Sequence, residues 1–225
     1  MTRQEELDRG LVEARTLMEG LSVDFTVLLG TLNPGLELPV WEQGITRKMR
    51  QAAAVLGKAG TPGVDVLRAS ASDTVRGIAA FVEMGELGLG LEQRVERIRP
   101  YAVDSHFGVR EWAWMAVRPW LAAELERAVE LLTPWTADGN VYARRFAVEA
   151  LRPRGVWCSH IEALKERPEL GLPLLEPLRA EREKYVQDSV ANWLNDAAKT
   201  QPEWVREVCA RWERESDSAA TRRIT

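Results

Sequence analysis

The amino-acid sequence predicts an all-α fold, an α-solenoid built from stacked pairs of helices. Three observations carry the prediction. Four segments, residues 75–82, 109–116, 143–150 and 186–193, can be laid over one another, with first residues 34, 34 and 43 positions apart. Each opens on a small aliphatic residue and has Ala or Val four residues later, and three of the four have Arg in second place. Apolar residues inside them recur at helical spacing. Further helical stretches lie between them, separated by joints rich in Pro and Gly. No run alternates apolar and polar residues for long enough to build a sheet.

Taken in order, residues 4–19 and 47–56 read as helices, with residues 32–39 and 57–63 as loops. The first loop is read as a cap, a lid or a ligand contact. The repeats follow. Helices over 87–98, 121–132, 161–166 and 204–212 alternate with the four superposable segments, and Asp73 and Asn140 stand where N-caps are expected. Helix pairs repeating every 34 to 43 residues are of HEAT-like type, in which neighbours stack to bury a continuous core. The expectation is a single domain over 1–225: less regular helices over 1–65, repeats over 66–215, and a frayed polar tail over 216–225.

Composition narrows the function. A chain of 225 residues supports a sizeable core. Its apolar stretches are too short and too often broken for a transmembrane helix, and Met1-Thr2-Arg3-Gln4-Glu5-Glu6 lacks the plan of a signal peptide. Two cysteines, Cys158 and Cys209, fit a reducing cytoplasm rather than a disulfide framework. With His106 and His160 they show no zinc-ligand spacing. No Gly-rich phosphate loop stands between a strand and a helix, and Ser105-His106 is a dipeptide rather than a triad. A net charge of −4 excludes a simple basic DNA-coating protein but not a local basic groove. There are nine tryptophans. Trp112, Trp114, Trp120, Trp193, Trp204 and Trp212 follow helical periodicity and are expected in the core. Trp157 follows a Pro-Arg-Gly-Val turn, where an indole is either a core anchor or a stacking surface for a cationic base.

The repeat register picks out three acids. Glu111, Glu149 and Asp196 stand two, six and ten positions after the first residue of their segments. Such offsets lie on nearly one face, one turn apart. Acids converging in this way stabilise positive charge or position a water; alternatively they are solvated partners of nearby arginines. Arg144, Arg145, Arg152 and Arg154 fall within eleven residues. With Arg110, Arg118 and Lys199 they read as a phosphate-binding track. His160 is expected at the surface, and Cys158 as a small core residue.

At these residues the sequence resembles the AlkC and AlkD superfamily of HEAT-like-repeat DNA glycosylases, the AlkC type above all. Arg144-Arg145-Phe146-Ala147-Val148-Glu149-Ala150-Leu151-Arg152-Pro153-Arg154-Gly155-Val156-Trp157 resembles its pattern of a double arginine, a glutamate, Arg-Pro-Arg and a tryptophan. Ser189-Val190-Ala191-Asn192-Trp193-Leu194-Asn195-Asp196-Ala197-Ala198-Lys199 resembles its second signature, and Phe107-Gly108-Val109-Arg110-Glu111 its first acid. The resemblance implies a concave DNA-binding face, excision of alkylated purines such as 3-methyladenine, double-stranded DNA as partner, a monomer and no cofactor. It places Glu149, Trp157, Asp196 and Glu111 at active-site positions, with Arg110, Arg144, Arg145, Arg152, Arg154 and Lys199 toward DNA. Gln187-Asp188 departs from it, standing where the family has a basic residue, and no immunoglobulin-like domain of the kind some AlkC-type proteins carry is expected within this length. The alternative reading is a non-catalytic HEAT-like module that binds DNA structures or a protein.

Overall fold

A computed structural model describes all residues, 1–225. The chain is all-helical, and it divides into two compact units, Met1–Val117 and Arg118–Thr225, where the sequence is read as one repeat domain. No helix is long and apolar enough to cross a membrane.

The first unit holds α1 (Arg3–Asp8), α2 (Leu17–Leu21), α3 (Phe25–Leu32), α4 (Ile45–Ala59), α5 (Val64–Arg68), α6 (Asp73–Met84), α7 (Leu91–Ala102) and most of α8 (Phe107–Ala123). The single helix expected over 4–19 is broken at Gly10, whose φ of +70° suits glycine and whose Cβ would stand 2.9 Å from Leu28 Cδ1. Helix α3 goes unmarked in the sequence reading; Asp24 caps it, accepting from the amides of Thr26 at 2.8 Å and Val27 at 3.2 Å. The core is a closed set of apolar faces from α3, α4, α6 and α8, including Leu28, Met49, Ile78 and Trp112. Gly77 lets Trp112 lie against the α6 backbone, since a Cβ there would collide with the indole.

Asp73 is not the N-cap of α6. Ser72 takes that place, accepting from Val75 N at 3.4 Å. Asp73 is buried and accepts instead from Ala14 N at 2.9 Å, and burial pushes its carboxyl above the usual range.

The second unit holds α9 (Leu125–Leu132), α10 (Val141–Glu149), α11 (Glu162–Glu166), α12 (Leu172–Leu175), α13 (Lys184–Ala198), α14 (Pro202–Glu215) and α15 (Ala219–Ile224), with three short 3₁₀ turns among them. Asn140 caps α10 as expected, accepting from Tyr142 N at 2.8 Å. The tail over 216–225 is not frayed. Ser218 caps α15 through Ala220 N at 3.1 Å, and Thr221 and Ile224 are buried. Trp193 and Trp212 are buried, as are Trp112 and Trp114 in the first unit, but Trp120 is 41% exposed.

The repeated second-place residue has a structural role. Arg76 donates to the carbonyl of Ser70 at 2.9 Å, Arg110 to Asp104 at 2.7 Å, Arg144 to Asp138 at 2.8 Å and Gln187 to Glu181 at 2.8 Å. Each bond reaches six residues back, across the turn that enters the helix. Arg76 also pairs with Asp104 at 3.0 Å, and Arg144 with Glu181 at 2.7 Å, so a repeat is tied to the acid before the following helix. The amide of Gln187 keeps the backward bond without the charge. Its Oε1 accepts from Arg223 of α15 at 3.0 Å.

Candidate functional site

Glu149 is the last residue of α10, and Asp196 lies two residues before the end of α13. The two helices pack side by side, which brings the two acids near one residue, Arg152, in the segment leaving α10. Arg152 Nη1 donates to Glu149 Oε1 at 2.9 Å. Its Nε donates to Asp196 Oδ2 at 2.9 Å, and Nη2 approaches the same oxygen at 2.8 Å. Both acids are buried, with 4% of Glu149 and 3% of Asp196 exposed. Burial works against the charge on Arg152, but Glu149 and Asp196 outweigh it and raise its pKa, so the guanidinium stays protonated between them.

The remaining oxygens are also held. Ser189 Oγ donates to Glu149 Oε2 at 2.8 Å, and Arg145 Nη2 stands 3.6 Å from that oxygen. Arg145 Nε reaches Ser189 Oγ at 3.3 Å while its guanidinium lies 4.7 Å over the ring of Tyr185. Lys199 Nζ donates to Asp196 Oδ1 at 3.2 Å, and Arg154 Nε to the Asp196 carbonyl at 3.3 Å.

The segment from Ala150 to Ile161 is fixed from beneath by Arg118. Its buried guanidinium donates to the carbonyls of Arg152 at 2.6 Å, Ala150 at 2.8 Å and Ser159 at 3.3 Å. Burial lowers the pKa of this group. Gly155 is required above it: a Cβ there would strike Cys158 Sγ and sit 3.2 Å from Arg118 Cζ. Trp157 adopts a φ of +57°, unfavourable for a residue with a Cβ, and is 43% exposed. It is therefore not a core anchor. Cys158 beside it is partly exposed and His160 is exposed.

Other predicted residues are placed differently. Glu111 belongs to the first unit and accepts from Trp114 Nε1 at 2.8 Å. Arg110 is buried, with Nη1 also reaching the Ser105 carbonyl at 2.8 Å. Arg144 is held by Glu181 and the Asp138 carbonyl, and Arg118 by its three carbonyls. Set against the phosphate track expected from sequence, internal bonds engage donors of all three within the fold, and Arg110 and Arg118 are buried as well.

Ser189 is a further residue of the site, and its position in the sequence carries a signal. It occupies the repeat position held by Ile78, Trp112 and Phe146 in the other segments, all buried. A hydroxyl at a core position needs a partner, and its partner is Glu149.

A helical-repeat protein with two buried carboxylates held by one arginine, and a braced loop that exposes a tryptophan, is the class that fold and site define. The chain belongs to the DNA alkylation repair enzyme family, whose model matches residues 93–223. It is 48% identical over 61 residues to the uncharacterized protein YhaZ of Bacillus subtilis (strain 168), a stretch covering 27% of this chain and 17% of that protein. Among solved structures, the alkylpurine DNA glycosylase AlkC of Pseudomonas fluorescens, bound to DNA containing an abasic site analog, superposes with a TM-score of 0.61 at 21% identity. That match covers all of this chain and 63% of AlkC, so the chain spans less than two thirds of either protein. AlkD2 from Streptococcus mutans superposes with a TM-score of 0.66 at 22% identity, over 89% of this chain and 95% of that one. The likeness in structure establishes the helical-repeat fold.

Proposed function

We propose that this chain is a DNA glycosylase, monomeric and cytoplasmic, that excises cationic alkylated purines such as 3-methyladenine from double-stranded DNA. The observation that carries the reading is the Glu149–Arg152–Asp196 cluster, with Trp157 exposed in the same segment as Arg152. Membership of the alkylation repair family supports it.

Methylation at N3 makes adenine cationic and weakens its glycosidic bond. The bond breaks with its electron pair moving to the base, which leaves neutral, while positive charge develops on the sugar. An ionised carboxylate near C1′ stabilises that charge, and a water adding at C1′ gives up its proton to a carboxylate. Asp196 and Glu149 take these roles. Trp157 offers its face to the cationic base. Arg152 and Arg145 hold the acids, which leaves Arg154 and Lys199 as the cations of the track for phosphate.

The test is release of methylated bases from alkylated duplex DNA by the native chain beside Glu149→Gln and Asp196→Asn. Loss of about 10²-fold or more in either variant, with the fold intact, supports the assignment. One observation favours a second reading, a non-catalytic DNA-binding or protein-interaction module: both carboxylates already have cationic partners. DNA binding without base release would select it.

A further inference from the structure

The cations outside the cluster are unevenly placed. Residues 43–64 contain Arg47, Lys48, Arg50 and Lys58 and no acid, although acids outnumber bases 34 to 30 over the chain. All four lie on α4. Met49, Ala52, Ala53 and Leu56 bury one side of that helix, and Arg47, Arg50, Ala54, Gly57 and Lys58 are exposed on the other. Arg47 and Lys58 are eleven residues apart, so they share a face and span about 16 Å of the axis. Arg50 lies between them. Elsewhere in this unit Arg68, Arg76 and Arg97 are matched by Glu83, Asp104 and Glu86. On α4 only Arg47 has an acid within ion-pair distance, Glu42 at 3.7 Å; Arg50 and Lys58 line a hollow with Glu83 and Glu86, which are already paired with Arg68 and Arg97.

We propose that the exposed face of α4 is a second DNA-contacting surface, one that takes the phosphate backbone of a duplex. This rests on the DNA-binding part of the proposed function and adds to it a site in the first unit. Two cations on this face, Arg50 and Lys58, kept out of ion pairs in a chain with acids in surplus, with Arg47 beside them, are arranged for a polyanion. The small residues Ala54 and Gly57 between Arg50 and Lys58 leave the surface low, so a backbone can approach. No base-reading geometry is present, so the contact is independent of sequence and lesion.

Binding of a lesion-free duplex, measured across a salt series, tests the site without calling on catalysis. Arg50→Glu with Lys58→Glu is compared with Arg127→Glu with Arg206→Glu, an equal change in net charge at residues paired with Glu130 and Glu203. The α4 variant is expected to weaken binding about tenfold or more at low salt and to reduce the log–log salt slope by about two, while the control changes affinity less than about threefold. Arg50→Ala with Lys58→Ala serves if charge reversal disturbs the fold. An unchanged slope, or equal losses in both variants, overturns the proposal, as does a loss seen only with anionic vesicles or an acidic protein. A chain that binds through α4 but releases no base keeps this surface and refutes the glycosylase. A chain that excises with a slope indifferent to α4 does the reverse.

Discussion

Arg152 meets Asp196 through two nitrogens, Nε at 2.9 Å and Nη2 at 2.8 Å, both on Oδ2, while its third nitrogen is 2.9 Å from Glu149. One guanidinium thus fixes two carboxylates from helices α10 and α13. The planar fork of arginine suits this geometry, which a lysine cannot reproduce. On the proposed function, this relationship gives Arg152 the part of a positioning residue rather than a phosphate contact.

Arg152→Ala leaves Glu149 and Asp196 buried without their shared counter-charge. The expected loss of stability is about 3 kcal/mol, read as a lower urea midpoint. The salt slope of DNA binding is expected to stay nearly constant. A full unit less of slope, with little loss of stability, would return Arg152 to the phosphates.

Gly155→Ala forces its new methyl group onto Cys158 and Arg118. The segment carrying Trp157 must shift, at a cost of about 1–3 kcal/mol. Base release is expected to fall more than DNA affinity. A variant with native stability and native excision would show that the loop's conformation is immaterial.

Glu181 supplies a pH signature. Burial works to raise its pKa, but Arg144 and the amides of Glu183 and Arg182 outweigh it, and the folded carboxyl lies below its ordinary range. A depressed acid contributes stability that is present above the unfolded pKa, about 4.3, and lost as pH falls through the lower folded value. The stability difference between the native chain and Glu181→Gln should therefore shrink below about pH 4. A difference constant across acid pH would deny Glu181 that role.

Ser189→Ala removes the hydroxyl that holds Glu149 Oε2. An expected drop in kcat, partial rescue by Ser189→Thr and a shifted acid limb of the pH–rate profile would mark it as positioning Glu149. A change in stability alone, with kcat unmoved, would make it structural.

Much of this was legible in the sequence. The superposable segments gave α6, α8, α10 and α13, because each buries apolar residues at helical spacing. The offsets of Glu149 and Asp196 point to their convergence, which the packing of α10 on α13 and the shared Arg152 bring about. What the sequence withheld was the bonding of the arginines. Arg144 and Arg154 look alike as letters, yet one closes the entry to its own helix and the other does not. Gln187 reads as a lost charge, but its amide makes the same backward bond as Arg144, and Arg223 brings a cation back from α15. The break at Gly10 depends on the approach of Leu28 and Val75, contacts that no local pattern encodes. The letters around Trp157 fit an anchor and a surface equally; its exposure and positive φ make it a surface residue.

The most direct measurement is chromatographic separation of bases released from methylated duplex DNA by the native chain, Glu149→Gln and Asp196→Asn. The glycosylase reading predicts 3-methyladenine from the native chain and a loss of about 10²-fold or more in both variants. No release by a native chain that still binds the DNA would contradict it and leave the Glu149–Arg152–Asp196 cluster a structural clamp.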